Sequence, residues 1–163
     1  SSYSLAITIQ LQVFSKIFEK VLKSRLTGYF EDNNLLAACQ YGFRKGKSTK
    51  DAILDFTNFT LEAFEKGLYS VATLYDLSKC FDCVPHNLLL GKLERYGLSP
   101  AAVYLMASYL RDRQQSVTFG GDTSMSLEVS IGVPQGSTLG PLLFLIFSND
   151  IPLICMDEHN RVC

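Results

Sequence analysis

The chain has no apolar run long enough to cross a bilayer. Its longest, Leu139 to Phe147, is followed by Asn149-Asp150 and falls far short of the ~20 residues a spanning helix needs. Internal repeats and low-complexity tracts are absent, so solenoid and fibrous architectures are excluded. The five cysteines (Cys39, Cys80, Cys83, Cys155, Cys163) are odd in number and unevenly spaced. No secretory pattern precedes them, and they are expected to be reduced thiols of an intracellular chain rather than a disulfide framework. The chain starts at Ser1 without a methionine, which leads us to expect a fragment or a processed piece. Nowhere are two aspartates adjacent. Strong net charge is missing as well, yet the overall −1 hides an imbalance: residues 1–50 carry eight bases against three acids, +5, leaving −6 for the rest. A basic front and an acidic back suit a protein that grips phosphates with one part and a metal with another, although solvated helix faces give the same count.

What is present fits one ordinary core: 163 residues, 47% hydrophobic. Val13, Phe14, Ile17, Val21, Leu22 and Leu26 recur at helical spacing, predicting an amphipathic helix over 12–30 with Lys16, Lys20 and Lys23 on its wet side and a stop at residues 31–34. Gln40 to Thr49, with two glycines and three bases, reads as a loop or hairpin. Ser48 or Thr49 then caps a second helix, buried through Ala52, Ile53, Phe56, Phe59, Ala63 and Phe64 and ended by Gly67. Residues 69–76 read as a buried strand. Pro85 starts a helix with Leu88, Leu89, Leu93 and Tyr96 inward, and Ser99-Pro100 starts another running to Arg111. A hairpin over 115–129 turns at Gly120-Gly121-Asp122, and a last helix runs from about Thr138 to Ser148. The class is α+β.

Two segments carry the chemistry. Asp76 closes the run Val71-Ala72-Thr73-Leu74-Tyr75, at the carboxyl end of a strand, where a carboxylate can serve a metal-bound phosphate. An aspartate after a strand is also a common turn or capping residue. Gly132-Val133-Pro134-Gln135-Gly136-Ser137 is a bend whose glycines allow close backbone approach. Cys80, Cys83 and His86 are spaced C-x-x-C-x-x-H. A structural zinc wants a second ligand pair, and Cys39, Cys155 and His159 are too scattered to supply it. Asp82 and Lys79 fit helix-capping and surface roles better than a second acid and a general base.

The run from Tyr75 to Val84, with His86 and Leu88-Leu89, resembles the first palm motif of reverse transcriptases from non-LTR retrotransposons, the jockey and CR1-like branch especially. Phe14 to Lys20 and Gln40 to Thr49 resemble the finger motifs of that family. Ser108-Tyr109-Leu110 with Arg113-Gln114-Gln115, then Gly132 to Phe144 and Asn149-Asp150, follow in matching order, so the resemblance covers about residues 13–153. It implies a single partial domain, about 12–68 fingers-like and about 69–163 partial palm, with helices packed on a small, mostly antiparallel sheet. The implied activity is RNA-directed DNA polymerisation by two-metal nucleotidyl transfer. Asp76 and the Leu77 carbonyl would hold Mg²⁺ or Mn²⁺ bridging the phosphates of an incoming dNTP. Phe81 would lie under the sugar as a steric gate against a 2′-hydroxyl, and plain core is its alternative. Arg44 would clamp the triphosphate with its guanidinium fork. Lys45, Lys47, Gly132, Pro134 and Gly136 would face RNA template and DNA primer, and Gln135 would touch the template base or the nascent pair.

The pattern is incomplete. The family completes its carboxylate set with two consecutive aspartates on a later hairpin, and this chain has none; Asp157-Glu158 lies in no strand pattern. Tyr3-Ser4-Leu5-Ala6 keeps only the tyrosine of a usual Tyr-Arg-Pro-Ile-like stretch, while Cys80 replaces a usual alanine and Ser148 a usual apolar residue. The expectation is a truncated or decaying copy, inactive as it stands, whose remaining palm, thumb and endonuclease segments belong to a parent polyprotein acting in the nucleus. A non-catalytic nucleic-acid-binding remnant of a mobile element is the alternative.

Overall fold

The structure is a computed structural model that describes residues 13–134 and 136–152. In chain order it has α1 (Val13–Asp32), α2 (Thr49–Glu65), a 3₁₀ turn (Cys80–Cys83), α3 (His86–Arg95), α4 (Pro100–Leu110), β1 (Gln114–Gln115), β2 (Thr118–Phe119), β3 (Asp122–Thr123), β4 (Leu127–Glu128) and α5 (Gly140–Ser148).

Helix α5 is apolar on every side, so it has to lie inside. Leu142, Leu143, Leu145 and Ile146 are all buried. Leu89 and Leu93 of α3 pack against it, Met106 and Leu110 of α4 extend the cluster, and Leu26 and Phe30 of α1 close it with Leu36, Val84, Val133 and Leu139. Several helix ends carry their own stop or start signal. Asn34, Gly67 and Gly97 take φ of +52°, +67° and +86°. In each case the next amide reaches back to the helix, as Leu35 N does to Phe30 O at 2.9 Å, Leu68 N to Ala63 O at 2.8 Å and Leu98 N to Leu93 O at 3.2 Å. Ser99 caps α4 with Pro100 in its first turn, and the Ser48 amide and hydroxyl both donate to Asp51 in a capping box that opens α2.

Five expectations need correction, the first being Leu88 of α3, expected inward and found exposed beside the buried Leu89 and Leu93. On α1 the buried side runs Glu19, Leu22, Leu26, Phe30, while Phe14, Ile17 and Val21 are exposed. At ~100° per residue these two sets fall on opposite faces of the helix, and only one can meet α5. Helix α2 has no buried residue, with Ile53, Phe56 and Phe64 exposed and Ala52, Phe59 and Ala63 half-covered; caps rather than burial hold it. Residues 69–76 form no ladder among the described residues, and Tyr69, Val71, Leu74 and Tyr75 are exposed. A strand exists only with a partner, and the described strands pair with each other: β1 with β4 and β2 with β3, both antiparallel. Among the described residues the helices therefore pack on one another and not on a sheet. The expected hairpin is present, turned by Gly120-Gly121 with φ of +61° and +97°, the signs a two-residue hairpin of right-handed twist requires.

Beyond α5 the chain is latched by Asn149. Its side-chain amide donates to Leu35 O and Tyr96 Oη, both at 2.8 Å, and its Oδ1 accepts from Ala37 N at 2.8 Å. Lys92 adds an ion pair to Asp150 at 2.5 Å and a hydrogen bond to Phe147 O, and this partner holds the Asp150 carboxyl below its ordinary range.

Candidate active site and its neighbours in the family

The two chemistry-bearing segments, fifty-odd residues apart in sequence, are hydrogen-bonded to each other. After Asp76 the chain passes through Lys79, whose φ of +53° turns it into the 3₁₀ segment. Gly132 N donates to Val84 O at 2.8 Å and Val133 N to Phe81 O at 2.8 Å. Pro85 and Ile131 form an antiparallel bridge beside them. His86 Nε2 donates to Gly132 O at 2.7 Å, which gives the histidine of the C-x-x-C-x-x-H spacing a structural partner. Gly132 has φ +89°, and a Cβ there would stand 2.9 Å from both Cα and O of Asp82. Only glycine lets the two backbones come this close.

Phe81 sits at the junction. Half-buried, its ring meets Phe144 of α5 at 4.7 Å and Phe43 of the basic loop edge-on at 6.1 Å. Phe43 holds φ +58°, rare for a bulky side chain. Thus the basic loop and α5 meet on the Phe81 ring, and the glycine bend is bonded to the residue's backbone carbonyl. The ring is packed against the core and keeps part of its surface open.

Asp76 lies at an open hollow of about 340 Å³ lined also by Leu77, Ser78, Cys80, Phe144, Phe147 and Ser148. The residue is exposed, and no hydrogen bond or ion pair engages its carboxylate among the described residues. Its oxygens are hard donors of the kind a divalent ion takes. Among the described residues no three His, Cys, Asp or Glu side chains gather to hold a metal, so any ion placed at Asp76 would have to draw its remaining ligands from other oxygens.

The basic loop is tied down. Arg44 makes a two-pronged pair with Glu31, Nη2–Oε2 2.6 Å and Nε–Oε1 3.1 Å, and also donates to Ala37 O at 2.9 Å. The Arg44 hydrogen bonds hold the Glu31 carboxyl below its usual value. Lys47 donates to Ala38 O and stands 4.7 Å over the Tyr41 ring, beside a second hollow of about 370 Å³ between this loop and the start of α2. Lys45 is exposed. On the bend, Pro134 is buried and Gly136, at φ +73°, is exposed. Gln135, like Asp157-Glu158 and Cys155, lies outside the described residues.

Three residues without an assigned role proved central: Glu19, Tyr109 and Asn149. Glu19 is fully buried, accepting from Tyr109 Oη at 3.0 Å and Thr138 N at 2.6 Å. Burial, and then the nearby Glu19 charge, outweigh the Ser137 and Arg113 contributions and push the Tyr109 hydroxyl up to about 12. Glu19 lies within the Phe14–Lys20 run and in the register of Leu22, Leu26 and Phe30, but an acid on an amphipathic helix is ordinarily a solvated residue.

A model of the family "Reverse transcriptase (RNA-dependent DNA polymerase)" matches residues 5–162. Among curated proteins the chain is 36% identical over 143 residues to a probable RNA-directed DNA polymerase from transposon BS of Drosophila melanogaster, covering 87% of this chain and 16% of that protein. It is 36% identical over 146 residues to the RNA-directed DNA polymerase from mobile element jockey of the same fly, covering 89% and 16%. For the probable polymerase from transposon X-element, also of that fly, the figures are 34% over 143 residues, 87% and 16%. The chain thus spans about a sixth of the length of these relatives. Among the described residues no helix is long and apolar enough to cross a membrane. With the glycine bend seated on the turn that follows Asp76, and the family model covering nearly the whole chain, the protein belongs to the reverse transcriptase family, and its likeness there is to the polymerases of non-LTR, jockey-type retrotransposons.

Proposed function

We propose that the chain is the fingers (about 12–68) and part of the palm (about 69–163) of an RNA-directed DNA polymerase, and that Asp76 is its catalytic carboxylate. The observation that carries this is the seating of the Gly132 bend on Val84 and Phe81 while Asp76, at an open hollow, pairs with none of the described residues. A bound Mg²⁺ or Mn²⁺ would neutralise phosphate charge as the primer hydroxyl displaces pyrophosphate. Asp76 offers a carboxylate oxygen, and Leu77 its carbonyl, to such an ion. Phe81 braces the sugar position from the aromatic cluster, so a 2′-hydroxyl meets a ring that Phe144 keeps from retreating. Arg44 already presents its fork to a carboxylate, and a triphosphate would take the place of Glu31 with like geometry. Lys45 and Lys47 add positive charge for template and primer, and Gly132, Pro134 and Gly136 carry Gln135 to the base pair. Two-metal transfer needs further carboxylates. Since no adjacent aspartates occur in the chain, they would come from the rest of a parent polyprotein, along with thumb and endonuclease segments.

The test is primer extension on an RNA template by the parent polymerase, in Mg²⁺. Asp76→Asn is expected to cut incorporation roughly a thousandfold or more, the scale lost with a principal charge-stabilising group in phosphoryl transfer, while salt-sensitive RNA binding persists. Extension that survives this change would overturn the assignment of Asp76, and extension by the 163-residue chain alone would overturn the need for further carboxylates from a parent polyprotein.

A further inference from the structure

We infer that Glu19 is a positioning residue that clasps the exit of the Gly132–Gly136 bend. The inference rests on the polymerase reading of that bend and deepens it. The bend is pinned at its entrance by Val133 N on Phe81 O at 2.8 Å, and at its exit by Thr138 N on Glu19 Oε2 at 2.6 Å. Between these anchors the exposed Gly136 is the described residue open to a template. The exit is reinforced locally. Ser137 Oγ accepts from Gly140 N at 2.9 Å, and a Cβ on Gly140 would stand 2.6 Å from that oxygen and 3.1 Å from Pro134 O. Tyr109, on α4, holds the other carboxylate oxygen at 3.0 Å and is itself fixed by Arg113, whose guanidinium lies 4.5 Å over its ring and donates to its carbonyl at 2.9 Å.

A carboxylate with no exposed surface is costly unless its oxygens are satisfied by strong donors. In α1 an apolar side chain would fill the same register without that cost, as Leu22, Leu26 and Phe30 do. What a leucine cannot do is accept from Thr138 N. Glu19 therefore couples the finger helix α1 directly to the exit of the glycine bend, and a shift of α1 moves the bend with it.

The experiment uses the parent polymerase with Glu19→Ala, Glu19→Gln and Tyr109→Phe, with Leu26→Ala as a core variant outside the clasp. Glutamine keeps one oxygen for Thr138 N and can donate to a tyrosine hydroxyl, so Glu19→Gln is expected to stay near the parent. Glu19→Ala, which leaves Thr138 N without its acceptor, is expected to lose kcat/KM roughly 10- to 100-fold, the scale of a misplaced reactive geometry, with raised misincorporation. Tyr109→Phe, which leaves the buried carboxylate one donor short, is expected to fall between the two. Amide exchange over residues 136–140 should quicken in Glu19→Ala but not in Leu26→Ala. Unchanged exchange there, or kcat/KM and misincorporation in Glu19→Ala no worse than in Leu26→Ala, would overturn the clasp. Because exchange is read without catalysis, a failed Asp76→Asn result would sink the polymerase reading and leave this outcome separately legible.

Discussion

Replacing Gly132 by alanine isolates the contact on which the site depends. The new Cβ would sit 2.9 Å from Asp82 Cα, 2.9 Å from Asp82 O and 3.0 Å from Asp82 C, all of them backbone atoms that cannot swing aside, and the residue would also have to hold φ +89°. The backbone conformation costs about 1–3 kcal/mol for a side-chain-bearing residue, and forcing an extra carbon into a packed contact costs about 1–3 kcal/mol more. Relief would come from lifting the bend off the turn, which breaks the Gly132 N to Val84 O and His86 Nε2 to Gly132 O bonds. Either way the destabilisation is about 2–6 kcal/mol, the sum of those two ranges. Gly120→Ala supplies the control: it shares a positive φ, +61°, but nothing lies within 4 Å of its Cβ, so it should cost only about 1–2 kcal/mol. Urea unfolding of both variants at one pH gives the difference. Equal losses would show that Asp82 does not crowd Gly132, and the seating of the bend on the turn would have to be abandoned. In primer extension Gly132→Ala should fall with stability, whereas Gly120→Ala, on an exposed hairpin, should extend normally.

Asn149→Leu strands Leu35 O, Ala37 N and Tyr96 Oη around a buried position; a loss of about 2–4 kcal/mol in urea unfolding is expected from the unpaired groups, and a loss under 0.5 kcal/mol would remove the latch from the account. The Glu31 carboxyl is depressed by Arg44, so its contribution is fully present above the ordinary glutamate pKa of about 4.3 and is lost as pH falls through the lower folded value. The stability gap between the parent chain and Glu31→Gln should therefore be widest near neutral pH and close in acid. A gap that stays constant would show that the Arg44 pair does not depend on the Glu31 charge.

Much of the skeleton was legible because its signals are local. Helix starts at Ser48 and Ser99, stops at residues 31–34 and at Gly67 and Gly97, and the Gly120-Gly121 turn depend on a few neighbouring residues and were readable as such. Burial was less legible. Apolar spacing on α1 and α2 marked helices correctly but could not say which face meets α5, since that depends on what the rest of the chain brings near. The Tyr69–Asp76 run has strand composition, yet a ladder needs a partner the described residues do not provide. For the site, Asp76, Phe81 and the Gly132 bend stood out by residue type and spacing. Glu19 did not, because a buried acid differs from a surface one only in what surrounds it.

By itself the sequence determined the family, the helix boundaries and the order of the motifs, all of which rest on side-chain type and short-range spacing. The tertiary structure decided that the glycine bend lies on the turn after Asp76, that Arg44 is spent on Glu31, and that a carboxylate from α1 holds the far end of the bend. These are meetings between residues up to 119 apart, and no local rule encodes them, because such contacts form only when burial of α5 draws distant segments around a single core.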